Sequence, residues 1–316
     1  MIGAMSRVPH RVRRELRPLR RKVRYTTRRA RTLPTFLIIG AQRAGTTSLF
    51  AYVGRHPDIE APKRADLSVD WVKELHFFDE NYWRGPDWYR AFFPLTIRKK
   101  AAELRGRPLA CGEATPYYLF HPAVPERVAA TIPDVRLIVL LRNPVERAYS
   151  HYQHMRKMRT EKLSFEEAIE AEPKRLAALE AELVKVQPGI TKQGYRMHHH
   201  HRHRAYVSRS LYADQLERWL VHFPLEQLLV LRSEDFFARP AETFAQVFAF
   251  LGVRPWEVPD YEARNVGSYA PIDPAFRARL EERFAEPNAR LAKLLGRDFG
   301  WARAAEAQAR AVRRSA

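Results

Sequence analysis

The stretch FLIIGAQRAGTTSLF, residues 36–50, sets an apolar run against a glycine loop and a row of hydroxyls. Phe36–Ile39 predicts a buried strand that reaches Gly40, and four residues separate Gly40 from Gly45. Thr46, Thr47 and Ser48 then open a helix predicted to run to Gly54, with Pro57 just beyond. A strand, a glycine loop and a helix N-terminus together point backbone N–H groups at one spot and make an anion cradle. A triphosphate loop reads G-x-x-x-x-G-K-[ST], and its lysine reaches the terminal phosphates. Here Thr46 stands in the lysine's place, and the nearest cation, Arg43, lies inside the loop. Such a cradle suits a shorter anion whose bridging oxygen is neutralised as it leaves.

Working outward, the same alternation repeats. Leu109–Gly112, Arg136–Leu141 (RLIVLL) and Leu228–Leu231 read as strands, and helical patterns follow the last two. Asn143, Pro144 and Glu146 suit the N-cap, first and third positions of a helix. Apolar strands alternating with helices predict an α/β fold: a P-loop-like three-layer arrangement with a central parallel sheet flanked by helices. Ligands in such sheets bind where strands end and helices begin. Residues 36–316 are read as one domain. Residues 164–186 form a charged amphipathic pattern interrupted at Pro173 and expected to project from the core. His198 to His201, with His203, lack carboxylate or cysteine partners at ligand spacing, so this run reads as a mobile basic loop rather than a metal site.

Composition narrows the function classes. Apolar residues make up 46% of the 316, including 6 Trp, 13 Tyr and 17 Phe, enough for a sizeable core. The single cysteine, Cys111, excludes an intrachain disulfide and a cysteine-based zinc site. No run approaches the roughly 18–20 apolar residues of a membrane span. The basic start lacks an apolar segment of the secretory kind. These features point to a cytoplasmic protein. Residues 1–35 hold 12 Lys/Arg against one acid, Glu15, a net +11 of the chain's +19. They read as a flexible, partly helical basic tail that an anionic membrane surface would attract. Tyr25 is the only aromatic residue within the run, so nucleic acid is the weaker partner reading.

IIGAQRAGTTSL resembles the 5′-phosphosulfate loop of sulfotransferases that use 3′-phosphoadenosine 5′-phosphosulfate (PAPS). Arg142 and Ser150 in RNPVERAYSHY are similar to that family's 3′-phosphate element, where an arginine fork and a helix hydroxyl converge. KELHFFDE, residues 73–80, with DWYRAFFP, residues 87–94, resembles the heparan sulfate and related carbohydrate branch. The resemblance covers residues 36–301. It implies nucleotide contacts from Gly40, Gln42, Arg43, Ala44, Gly45, Thr46, Thr47, Ser48, Arg142 and Ser150, with Tyr212 near the adenine. It implies Glu74 as general base, assisted by His76 and Arg43, with Asp79 toward the acceptor. Two positions differ from the branch: Arg43 replaces its lysine, and Ala114 in GEATP replaces the lysine of E-K-[ST]-P. GEATPYYLF looks more like bacterial members of the superfamily.

The expected reaction is metal-free transfer of a sulfuryl group from PAPS to a hydroxyl, most naturally of a carbohydrate, leaving 3′-phosphoadenosine 5′-phosphate (PAP). A small-molecule or lipid alcohol is the alternative acceptor. A P-loop kinase or NTPase would need magnesium and the lysine missing at position 46; a basic nucleic-acid or anionic-lipid binding protein would work through residues 1–35 alone. The sequence carries no code for the acceptor or for the oligomeric state.

Overall fold

The computed structural model describes residues 17–62, 74–177, 179, 183, 200–261 and 270–301. Five parallel strands form one sheet: β1 Phe36–Gly40, β2 Ile59–Glu60, β3 Ala110–Ala114, β4 Arg136–Leu141 and β5 Leu228–Arg232. Their order is β2-β3-β1-β4-β5. Every residue of β1 and β3 is buried, and in β4 only Arg136 is exposed. Such unbroken apolar runs belong to strands covered by helices on both faces. β1 is central, pairing Phe36 with Gly112 of β3 and with Arg136 of β4. The chain leaves β1 toward β2 and β3 on one side, then crosses to β4 on the other. The glycine loop therefore emerges at the point where strand order reverses, the position at which open α/β sheets form a crevice.

Local chemistry sets the helices that follow. Asn143 Oδ1 accepts from the N–H groups of Val145 and Glu146, and Pro144 begins the helix Pro144–Lys157. Ser164 and Glu167 form a reciprocal capping box at the start of Phe165–Leu176. That second helix differs from expectation. Pro173 falls in its last turn and does not interrupt it, and Phe165, Ala168, Ile169 and Leu176 are buried. Through Phe165 it packs on Tyr149, Tyr152 and Phe276 instead of projecting; residues 178, 180–182 and 184–186 of the expected pattern lie outside the described residues. The short β2 strand was not anticipated, since two residues carry no periodicity. No helix among the described residues is long and apolar enough to cross a membrane.

The basic segment is also more ordered than expected in its described part. A helix covers Arg17–Thr26. Arg24 donates to the carbonyls of Ala91 and Phe93, and buried Arg31 donates to Phe93 O at 2.8 Å. Thr32 N–H bonds Pro94 O, and Arg29 bonds Asp87. Residues 24–32 are thus docked on residues 87–94, and arginine supplies the donors.

Close strand approach depends on Gly112. A Cβ there would lie 2.3 Å from Phe36 O and 2.6 Å from Phe36 Cγ. The clash is with the neighbouring strand's backbone, so Gly112→Ala should destabilise the protein by on the order of 1–3 kcal/mol. Urea denaturation checks this; an unchanged midpoint would contradict the assigned packing.

Candidate active site

The glycine loop needs its glycines. A Cβ on Gly40 would lie 2.6 Å from Leu119 Cβ. Gly45 has φ +100°, and a Cβ on it would come within 2.9 Å of Phe237 Cζ. Ser233 Oγ donates to Ala44 O at 2.7 Å and ties the loop to the end of β5. Ala44, Thr46 and Ser48 are buried, whereas Gln42, Arg43, Gly45 and Thr47 are partly exposed. The loop therefore offers the second group outward at the start of the helix Thr46–Val53.

The two elements expected to bind phosphates meet. Arg43, in the left-handed region at φ 72°, donates from Nε to Ser150 Oγ at 3.2 Å. Arg142 Nη1 donates to Arg43 O at 3.3 Å, and its Nη2 lies 3.8 Å from Glu146. Arg43 is thus brought to Ser150 and Arg142, which lie 107 and 99 residues further along the chain. Tyr212, which the resemblance sets near the adenine, packs beside Arg142. Its ring is 1% exposed and its hydroxyl donates to Arg142 O at 2.8 Å, so it buttresses the strand end from behind.

The segment Glu74–Glu80 forms a chain of charged contacts. His76 Nδ1 lies 2.6 Å from Asp79 Oδ2, and His76 Nε2 lies 3.2 Å from Glu74 Oε2. Burial opposes the imidazolium, but Asp79's charge and hydrogen bond, then the bond to Glu74, outweigh it and raise the His76 pKa to about 10. Burial likewise opposes the Asp79 carboxylate, yet His76 holds its pKa below the ordinary value. The Glu80 pKa is pushed up by burial and then by Asp79. Asp79 has a fully buried side chain, and its contact with His76 orients the imidazole. Glu74 remains about one-third exposed.

Three residues that sequence reasoning passed over complete the site. Arg202 Nη1 bonds Glu80 Oε1 at 2.8 Å and lies 3.2 Å from His76 Nε2. With His76 protonated, Nε2 donates to Glu74, and Glu80 is Arg202's acceptor. Arg209 Nη1 donates to Gln42 Oε1 at 2.7 Å and to Arg202 O at 2.6 Å. It therefore bridges the glycine loop and the segment that touches His76. Glu113, completely buried, accepts from Leu75 N–H and from the hydroxyls of Tyr89, Thr115 and Tyr118.

The histidine run is corrected as well. His198 and His199 lie outside the described residues. His201 is buried, stacks on Phe120 at 4.3 Å and lies 2.7 Å from Tyr117 Oη through Nδ1, so it is a core residue and not part of a mobile loop. His76, Asp79 and Glu80 bring ligand-type atoms within 4.8 Å of one another. Their polar atoms are already engaged with one another, Glu74 and the Arg202 guanidinium, which fits an ion-paired network better than a cation site.

The pattern for the sulfotransferase domain matches residues 33–263. The chain belongs to the sulfotransferase family. A sulfotransferase of Alicyclobacillus acidocaldarius shares its fold with a TM-score of 0.60 at 32% identity, over 85% of this chain and 99% of that one. The membrane-associated sulfotransferase kil1 of Dictyostelium discoideum is 28% identical, covering 85% of this chain and 66% of its own length. The human bifunctional heparan sulfate N-deacetylase/N-sulfotransferase 3 is 34% identical over 227 residues, 71% of this chain but 23% of its own length. The chain thus corresponds to only part of each of these two curated relatives. The central parallel sheet flanked by helices is the expected one.

The His76 network gives this sulfotransferase a defined pH response. The folded protein holds the His76 proton up to about 10, while the unfolded chain releases it near 6.5. Its contribution to stability is therefore complete below pH 6.5 and is lost as pH rises toward 10. Urea denaturation of wild type and His76→Gln across that interval should show a stability gap that narrows with rising pH. A gap that widens would contradict the assigned charge.

Proposed function

We propose that this sulfotransferase moves the sulfuryl group of PAPS to a hydroxyl of a carbohydrate or glycoconjugate, with PAP and a sulfate ester as products. The observation that carries the reading is the link from glycine loop to acidic motif: Gln42–Arg209–Arg202–His76–Glu74. This relay of contacts supports reading the glycine loop and Glu74 as parts of one site.

In this reading the outward loop amides and Arg43 bind the 5′-phosphosulfate, and Arg142 with Ser150 binds the 3′-phosphate. Glu74 takes the acceptor proton as the acceptor oxygen bonds to sulfur and the bond from sulfur to the phosphate oxygen breaks. His76, oriented by Asp79, places a positive charge next to Glu74 and the transferring group. Arg43 stabilises the charge that develops on the leaving phosphate. Alignment of donor and acceptor supplies much of the rate. The positive charges all come from side chains and backbone dipoles, so the reaction calls for no metal. The carbohydrate acceptor is supported by relatives named for heparan sulfate sulfotransfer.

Transfer from sulfur-labelled PAPS to a panel of glycans, with lipid and small alcohols for comparison, tests the reading. Labelling confined to the non-carbohydrate alcohols would overturn the acceptor class. Glu74→Gln keeps the shape but cannot accept a proton; it should lower turnover by about 10²–10⁴-fold. PAP affinity should stay near wild type, since Glu74 lies outside both phosphate elements. Turnover and PAP calorimetry on the same variant check both halves. Retention of more than about a tenth of the activity would remove Glu74 as the base.

A further inference from the structure

The bridging contacts of Arg209 use only part of its guanidinium. The residue lies in the short turn Ser208–Ser210 and is 2% exposed. Its Nη1 is used by Gln42 and by Arg202 O, but its Nη2 is buried without any hydrogen-bond partner. Its guanidinium stands 5.3 Å from the Tyr117 ring centre and 5.6 Å from that of Phe120. No carboxylate among the described residues pairs with it directly. A buried guanidinium is ordinarily paired, because leaving a charged donor unsatisfied away from water is costly.

The surroundings add positive charge instead of cancelling it. Burial, then Arg147, lowers the Arg209 pKa to about 9, with Tyr117 opposing, Arg202 lowering it further and Glu74 opposing. Nearby His151 is completely buried, and neither of its ring nitrogens has a partner. Burial and then Arg209, Arg147, His203 and Arg43 keep it neutral, well below its ordinary pKa. The segment carrying Arg209 is nevertheless held firmly. Glu172 accepts from the N–H groups of Tyr206, Val207 and Ser208, and Arg147 Nε bonds Ser210 Oγ at 2.6 Å. Arg209 is thus a buried, under-neutralised cation with an unused donor, carried on a firmly held segment.

Its location indicates which anion it serves. On one side Arg209 holds Gln42, the loop residue next to Arg43; on the other it holds the backbone of Arg202, which reaches His76. That is the interval between the donor's phosphate cradle and the candidate base. We propose that Arg209 binds the sulfuryl oxygens of the donor through Nη2. It would carry part of their charge while the bond from sulfur to the leaving phosphate oxygen breaks and the bond to the acceptor oxygen forms. A guanidinium fork matches an oxyanion that presents several oxygens. The assignment rests on the proposal that PAPS is the donor.

Calorimetry with PAPS and with PAP separates the two claims, because PAP lacks only the sulfuryl group. Wild type, Arg209→Gln and Arg209→Lys are compared. Arg209→Gln should weaken PAPS by about 10- to 150-fold while moving PAP by no more than about threefold. Arg209→Lys, which keeps a point charge without the fork, should fall between. Retained PAP affinity reports an intact fold; if the glutamine variant does not fold, the lysine variant's PAPS-to-PAP ratio decides. Equal loss for both nucleotides, or no loss for either, overturns the role of Arg209. Failure of the wild type to bind PAP overturns the PAPS reading itself.

Discussion

A carboxylate without access to water holds the candidate base in place. Glu113, at the end of β3, is completely buried and takes hydrogen bonds from Leu75 N–H, Tyr89, Thr115 and Tyr118. Burial pushes its pKa up and the four donors push it down. Losing one donor would leave a buried polar group unsatisfied, which is costlier than the bond itself is stabilising. Tyr118 passes the constraint on, accepting the N–H of Phe77 at 2.8 Å while donating to Glu113. Leu75 and Phe77 flank His76, so one strand end fixes the backbone on both sides of the imidazole. The sheet, through Glu113, sets where Glu74 and His76 stand relative to the loop that leaves the neighbouring strand.

A second layer of order comes from arginine used as a donor to backbone and side-chain oxygens. Arg147 binds Tyr206 O and Ser210, Arg209 binds Gln42 and Arg202 O, and Arg142 binds Arg43 O. Most of these contacts do not cancel charge, because their acceptors are neutral. The crevice is consequently positive at its walls as well as at its loop, and an anionic donor gains from the whole field. The same habit docks the basic segment before β1, where Arg24 and Arg31 bind carbonyls of residues 91 and 93.

Legibility in the sequence followed the range of the interaction. β4 and the cap at Asn143 are local features, and both appear at the expected residues. The glycine loop was legible because both glycines are required locally: a Cβ on Gly40 would meet Leu119, and Gly45 takes a positive φ. Contacts between distant residues were not. Arg209 meets Gln42 167 residues away, and Arg202 meets His76 126 residues away. Arg202 lies in a run of histidines that reads as a solvated loop, whereas His201 beside it is packed on Phe120. Asp79 was singled out only by resemblance, and its complete burial follows from the imidazolium that pairs with it. Glu113 offered one available signal: an acid at the end of a strand that is otherwise apolar must find partners inside.

The central claim is that the crevice between Gly45 and Arg142 holds a nucleotide with separate 5′ and 3′ anionic groups, using side-chain cations in place of a metal. Calorimetry with PAP and with ATP, each with and without magnesium, tests it most directly. The account predicts that PAP binds more tightly than ATP and that magnesium leaves its affinity unchanged. Tighter ATP binding that depends on magnesium would contradict it.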